Sequence, residues 1–120
     1  MPSLIACLST GKGTWSQLLK IMNSERWDKV ILITNDFGKE KFNHPVEFIV
    51  VDFNKSPNIL VDEIINQLKD KVSGEVAVNL ISGTGKEHMV ILSAIMRSGL
   101  GFRIVDLIDD KIVDLTNILQ

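Results

Sequence analysis

A chain of 120 residues with 45% hydrophobic content has the apolar material for one domain with a buried core. Its formal net charge of −2 excludes a general attraction to duplex DNA or to an anionic membrane, so any anion site must be a local concentration of donors. Cys7 is the only cysteine, which excludes an intrachain disulfide and a cysteine metal cluster; its place inside an apolar run predicts a buried thiol. No apolar run approaches the roughly 18 residues of a membrane span, and the start lacks a signal-peptide pattern. The expectation is a soluble, cytoplasmic protein.

Leu4 to Leu8 is a short apolar strand, followed by the small-residue turn Ser9-Thr10-Gly11-Lys12-Gly13-Thr14. Trp15, Leu18, Leu19 and Met22 then trace one face of a helix. Asn23 to Lys29 is polar, with Trp27 expected to pack where the helix returns to the sheet, and Val30 to Thr34 is a second strand. Asn35 to Glu47 is the least regular segment, barely long enough for a right-handed crossover with a short helix. Val46 to Phe53 supplies a third strand, apolar throughout Phe48-Ile49-Val50-Val51 as a strand covered on both faces should be.

Ser56-Pro57 predicts a helix start, with a hydroxyl N-cap and proline at the first helical position. Val61, Ile64, Ile65, Leu68 and Val72 form its apolar stripe, and Ser73-Gly74 ends it. Val76 to Ile81 is a fourth strand, which stops at Ser82, Gly83, Thr84 and Gly85. A helix follows whose apolar spacing runs through Met89, Leu92 and Met96, with Gly99 and Gly101 as its exit. Ile91, Leu92, Ile95 and Met96, with Val90 beside them, give this helix more apolar surface than one sheet-facing stripe requires, which suits a partner helix. Phe102 to Leu107 is a fifth strand, and Asp109-Asp110 predicts a hairpin turn into a short antiparallel edge strand, Ile112 to Leu115.

This alternation predicts a single α/β domain over residues 1–120, a Rossmann-like doubly wound and mostly parallel sheet of about five strands plus the edge strand. In the order 3-2-1-4-5 the first and fourth strands are neighbours at the switch point, where ligands bind outside the carboxyl ends of the strands. Those two strand ends carry the same set of residues, Ser, Thr, two Gly and one Lys. Each turn leads into a helix whose first N–H groups lack partners and carry partial positive charge. The expected site is therefore one crevice lined by Ser9 to Thr14 and by Ser82 to Lys86. A lysine in the first turn opposes the dipole, so Lys86 makes better sense with an anion beside it.

Two nucleotide motifs fall short of this sequence. Gly11-x-Gly13-x-x-Ser16 approaches the dinucleotide fingerprint, with Asp36 about where the partner acid is sought, but the match is weak. Gly85-Lys86 is similar to the end of a triphosphatase phosphate loop, yet Leu80 stands where the first glycine belongs and Glu87 where a magnesium-binding hydroxyl is required.

Val78-Asn79-Leu80-Ile81-Ser82-Gly83-Thr84-Gly85-Lys86, with Met89 after it, resembles the signature of CARF domains, the CRISPR-associated Rossmann-fold sensors. There a strand ending in Val-Asn leads into a Thr-Gly-Gly-Thr-Lys turn and a helix with an early methionine. The resemblance extends to the first strand, its Ser9-Thr10-Gly11 turn and the strand order. Two departures stand out. With Gly83-Thr84 aligned on the family's Gly-Thr, Ile81 and Ser82 replace the preceding Thr-Gly, and Lys86 comes one residue late, with Gly85 in the lysine's place. No effector region, neither winged helix nor nuclease, follows the sheet.

The resemblance implies a symmetric homodimer whose two crevices join into a basin for a cyclic oligoadenylate, with a separate effector protein as a further partner and neither metal nor cofactor. It places Ser9, Thr10, Gly11, Lys12, Gly13, Thr14, Asn79, Ser82, Gly83, Thr84, Gly85 and Lys86 on the ligand. Some relatives cleave that ring without metal, by holding a ribose 2′-hydroxyl in line with its phosphate. In that reading Ser9 or Thr10 orients the ribose and Lys86 is the cation. The alternatives are a non-catalytic sensor or interaction module, or a Rossmann-like nucleotide-binding domain of other function. Arg97 and Arg103 are candidates to reinforce the field or are surface residues. His88, expected to point off the loop, and His44, before Pro45, read as structural or exposed.

Overall fold

The computed structural model describes residues 2–117. Six strands form one sheet in the order 3-2-1-4-5-6: β1 (Ser3–Cys7), β2 (Val30–Thr34), β3 (Glu47–Val50), β4 (Glu75–Asn79), β5 (Gly101–Ile108) and β6 (Lys111–Asp114). All neighbours run parallel except β5 and β6. The fold is Rossmann-like, and β1 and β4 lie side by side at the switch point as the sequence predicts. Ser3 pairs with Val76 and Ala6 with Asn79, so the two glycine turns leave the sheet at the same level.

Helices α1 (Trp15–Asn23) and α2 (Asp36–Lys41) cover one face, and α3 (Pro57–Leu68) and α4 (Gly85–Arg97) the other. The period-2 alternation of the strands decides which side chains meet which helices. Ile5, Cys7, Ile31, Ile33, Ile49, Val76 and Val78 point to the α3 and α4 side, against Leu60, Ile64, Ile91 and Ile95. Ala6, Leu8 and Leu32 point the other way, onto Leu18 and Phe42. Each fully buried leucine or isoleucine contributes about 1.5–3 kcal/mol, so both layers are firmly held to the sheet.

Several element boundaries differ from the sequence reading. The irregular stretch after β2 holds the six-residue α2, capped by Asn35, whose side-chain oxygen accepts from the Gly38 amide. Gly38 is required there: a Cβ would lie 1.9 Å from Thr34 Oγ1. That hydroxyl donates to the Leu8 carbonyl at 2.7 Å, tying the end of β2 to the start of the first glycine turn. Ser56 stands at the N-cap of α3 with Pro57 behind it, but its hydroxyl donates to Asn58 Oδ1 instead of accepting from the backbone. Helix α3 stops at Leu68, so Val72 packs from the following turn. Trp27 does pack beneath the end of α1, donating to the Ile21 carbonyl at 3.2 Å.

Helix α4 carries apolar residues on two sides. Val90, Ile91, Ala94 and Ile95 are buried, while Met89 and Met96 are each 63% exposed. Met89 and Met96 lie on the outer side, Leu92 between them is half-buried against the core, and Val90, Ile91, Ala94 and Ile95 make the sheet contact. Gly101 begins β5 instead of ending α4, and Gly99, at φ 74°, supplies the left-handed exit. Asp109 and Asp110 both adopt positive φ, 51° and 64°, the geometry of a two-residue hairpin turn. Among the described residues, no helix is long and apolar enough to cross a membrane.

Candidate functional site

The two glycine turns meet. The Ser9 amide donates to Ser82 Oγ at 2.8 Å, a direct link between the loop after β1 and the loop after β4. Ser82 is fully buried, so this hydroxyl holds the loops together and faces no solvent. Asn79, also buried, is used in the same way. Its amide nitrogen donates to the Val105 carbonyl at 2.8 Å, and its Oδ1 accepts from the Ile81 amide at 3.0 Å. The Val-Asn strand ending thus ties β4 to β5 and turns the chain into the loop.

The first loop is ordered by its own residues. Ser9 Oγ accepts from the Gly11 amide at 3.4 Å, and the Ser9 carbonyl accepts from Trp15 Nε1 at 2.9 Å. Lys12 to Thr14 form one 3₁₀ turn leading straight into α1. Thr10, Gly11, Lys12 and Gly13 are exposed and Thr14 is half-buried. A Cβ on Gly11 or Gly13 would meet nothing within 4 Å. Packing therefore does not require glycine at either position.

The second loop carries its own anion. Thr84 caps α4, its Oγ1 accepting from the Glu87 amide at 3.2 Å while Glu87 Oε1 accepts from the Thr84 amide at 2.9 Å. The same carboxylate oxygen lies 3.8 Å from the Cys7 thiol. Burial chiefly, and then the Glu87 charge, push the Cys7 thiol well above its ordinary range, so it stays protonated and is no nucleophile. His88 does not point off the loop as expected; its Nε2 lies 2.8 Å from the Ser82 carbonyl. Gly83, at φ 113°, lies beneath all three groups: a Cβ there would stand 2.7 Å from Cys7 Sγ, 2.9 Å from His88 Nε2 and 3.0 Å from Glu87 Oε1.

The two lysines leave the crevice in opposite directions. Lys86 Nζ donates to the Lys55 carbonyl at 2.9 Å, bracing α4 against the loop before α3. Lys12 lies on the other face, 5.6 Å from the Trp15 ring centroid and 5.7 Å from that of Phe37. Arg97 pairs with Asp62, and Arg103 with Glu75 and Asp114, so both arginines are surface residues engaged elsewhere. His44 packs against Phe42 with the rings tilted and their centroids 4.7 Å apart, well outside the crevice.

Open cavities flank the joined loops. One, of about 430 Å³, lies between α1 and the β5–β6 turn, lined by Gln17, Lys20, Ile21, Ile81, Asp106, Leu107, Asp109 and Asp110. Another, of about 470 Å³, lies beyond the ends of β2 and β3 and includes Asp36, Asp52, Glu63 and Lys55. Carboxylates outnumber cations in both, so both disfavour a phosphate. These cavities and the Glu87 cap are the features that sequence reasoning missed. The Thr84-x-x-Glu87 spacing is a capping-box signature and was the signal available for the second. Among the described residues, no group of three or more His, Cys, Asp or Glu side chains is placed to hold a metal ion.

Comparison with known proteins finds no family model and no curated protein that matches the chain.

Proposed function

We propose that this chain is a CARF-like ligand-binding domain that holds a cyclic oligoadenylate over the joined β1 and β4 loops, in the cytoplasm and as a homodimer. The observation that carries the reading is the 2.8 Å bond from the Ser9 amide to Ser82 Oγ, which makes one surface of the two Gly- and Lys-bearing turns at the switch point. Gly11 and Gly13 leave the backbone of that surface open to a phosphate. The exposed methionine stripe of α4, Met89 and Met96, supports the homodimer, because a two-fold partner helix covers surface that the sheet does not.

Binding is favoured over cleavage. A metal-free ring nuclease needs a cation at the reacting phosphate, and Lys86 is held on the Lys55 carbonyl instead. The domain then acts as a sensor or a sponge, passing its state to a separate effector protein or lowering free signal. Incubation with radiolabelled cyclic tetra- and hexa-adenylate, resolved on native and denaturing gels, tests this. Retention without linear product is the expected result, together with a dimer in sedimentation that Met89→Ser/Met96→Ser dissociates. Linear product lost in Lys86→Ala makes the protein a ring nuclease, and absence of binding overturns the reading.

A further inference from the structure

We infer that Trp15 and Phe37 form an aromatic seat that holds the Lys12 ammonium until a phosphate draws it off, an exchange that rests on the reading of the joined loops as a nucleotide site. Lys12 is exposed on the loop after β1, at the entry to α1. A cation there faces the positive end of the helix, which disfavours it. Among the described residues no carboxylate pairs with Lys12, not even Asp36, the neighbour of Phe37. What holds the ammonium is the pair of rings, with centroids 5.6 and 5.7 Å from Nζ.

Both rings are fixed from beneath. Trp15 Nε1 donates to the Ser9 carbonyl at 2.9 Å, and the indole meets Phe42 edge-on at 5.5 Å between centroids. Phe37 rides on α2, which the Asn35 cap and the close fit of Gly38 on Thr34 set against the end of β2. The two rings stand 6.4 Å apart at 52°, an open angle that one ammonium reaches from Lys12. Phe37 is 38% exposed and lies outside the apolar clusters of the core, so leucine can replace it without loss of the fold. It is a positioning residue: it sets where Lys12 waits. The Ser9 carbonyl anchors Trp15 while the Ser9 amide bonds Ser82, so the seat and the joined loops share one frame. A cation–π contact at an exposed site shifts an equilibrium by only about two- to fivefold, and a charge-assisted bond to phosphate is stronger. The free protein therefore keeps Lys12 seated, and a bound phosphate takes it.

Reductive methylation with ¹³C-formaldehyde keeps the lysine charge and gives Lys12 a methyl resonance, identified by its loss in Lys12→Gln. In the free protein the rings are expected to displace that resonance upfield. Phe37→Leu should return it towards the position of an exposed lysine, and Phe37→Tyr should retain the displacement. Cyclic tetra- or hexa-adenylate, or inorganic tripolyphosphate, should release it in the wild type. Phe37→Leu should bind these anions about two- to fivefold more tightly, with wild-type affinity restored in Phe37→Tyr. An undisplaced resonance in the free protein overturns the seat. Binding of a cyclic adenylate with Lys12 still on the rings overturns the exchange and leaves the function standing. Release by tripolyphosphate with no response to either cyclic adenylate keeps the exchange and removes the cyclic ligand, and silence to all three anions removes both.

Discussion

Glu87 Oε1 lies 2.9 Å from the Thr84 amide nitrogen, so a carboxylate in the first turn of α4 accepts from the N–H at that helix's own N-cap. Helix α4 begins with its positive end already partly neutralised. Glu87→Gln preserves the acceptor that the capping box needs while removing the charge. The variant should keep its melting temperature within a few degrees and bind the cyclic oligoadenylate about two- to fivefold more tightly, as titration at low salt would read. Weaker binding would mean that the phosphates do not approach this helix.

Gly83 and Gly85 stand two residues apart and should respond very differently to alanine. At Gly83 the backbone has φ 113°, and a Cβ meets Cys7, His88 and Glu87 at 3.0 Å or less, so Gly83→Ala should lower stability by about 2–4 kcal/mol. At Gly85 a Cβ meets nothing within 4 Å, and Gly85→Ala should change stability by less than about 1 kcal/mol. Urea unfolding of the two variants beside the wild type measures both.

Ser82→Ala removes the acceptor of the Ser9 amide without altering the fit of the side chain. The Ser9 N–H is then left without its acceptor, at a cost of about 1–3 kcal/mol. Amide hydrogen exchange at Ser9 should accelerate more than exchange in the β-strands, because the loop after β1 loses its attachment to the loop after β4.

Cys7 gives the protein an alkaline limit. Its folded pKa is raised above the ordinary value of 9.0, so the unfolded chain releases the thiol proton first as pH climbs. The stabilising contribution is therefore complete below pH 9.0 and declines above it, by about 1.4 kcal/mol per pH unit while the native thiol remains protonated. Unfolding free energies at pH 8 to 11, as approximate working points, should fall more steeply for wild type than for Cys7→Ala. Parallel curves for the two proteins would show that the thiol ionises alike in both states.

The sequence was most legible where period and punctuation coincide. Ser56-Pro57, the Asp109-Asp110 turn and the alternating apolar strands are set by local chemistry, and strand order followed once β1 and β4 were seen to carry matching turns. The excess apolar surface of α4 was legible, but not which stripe meets the sheet, because methionine and isoleucine are both apolar at helical spacing. Which stripe faces the sheet depends on the fit of Val90, Ile91, Ala94 and Ile95 against the strands, a three-dimensional property. The contacts of the two lysines were not legible for a related reason. A long flexible side chain takes whichever acceptor or ring comes within reach, and neither the Lys55 carbonyl nor Phe37 is near its lysine in sequence. Asn79 and Ser82 were read as ligand contacts because polar residues at a strand end invite that reading; their burial shows that the backbone uses them first.

The two outer strands of the sheet, β3 and β6, are only four residues each, and Pro45 precedes β3 with the exposed Glu47 at its start. Short, charged borders of this kind offer little template for another chain's backbone. Self-association through added strands, the route to fibres, is thereby discouraged at both ends of the sheet. Contacts made by helix side chains, such as those of Met89 and Met96, carry no repeating backbone template and so do not propagate in that way.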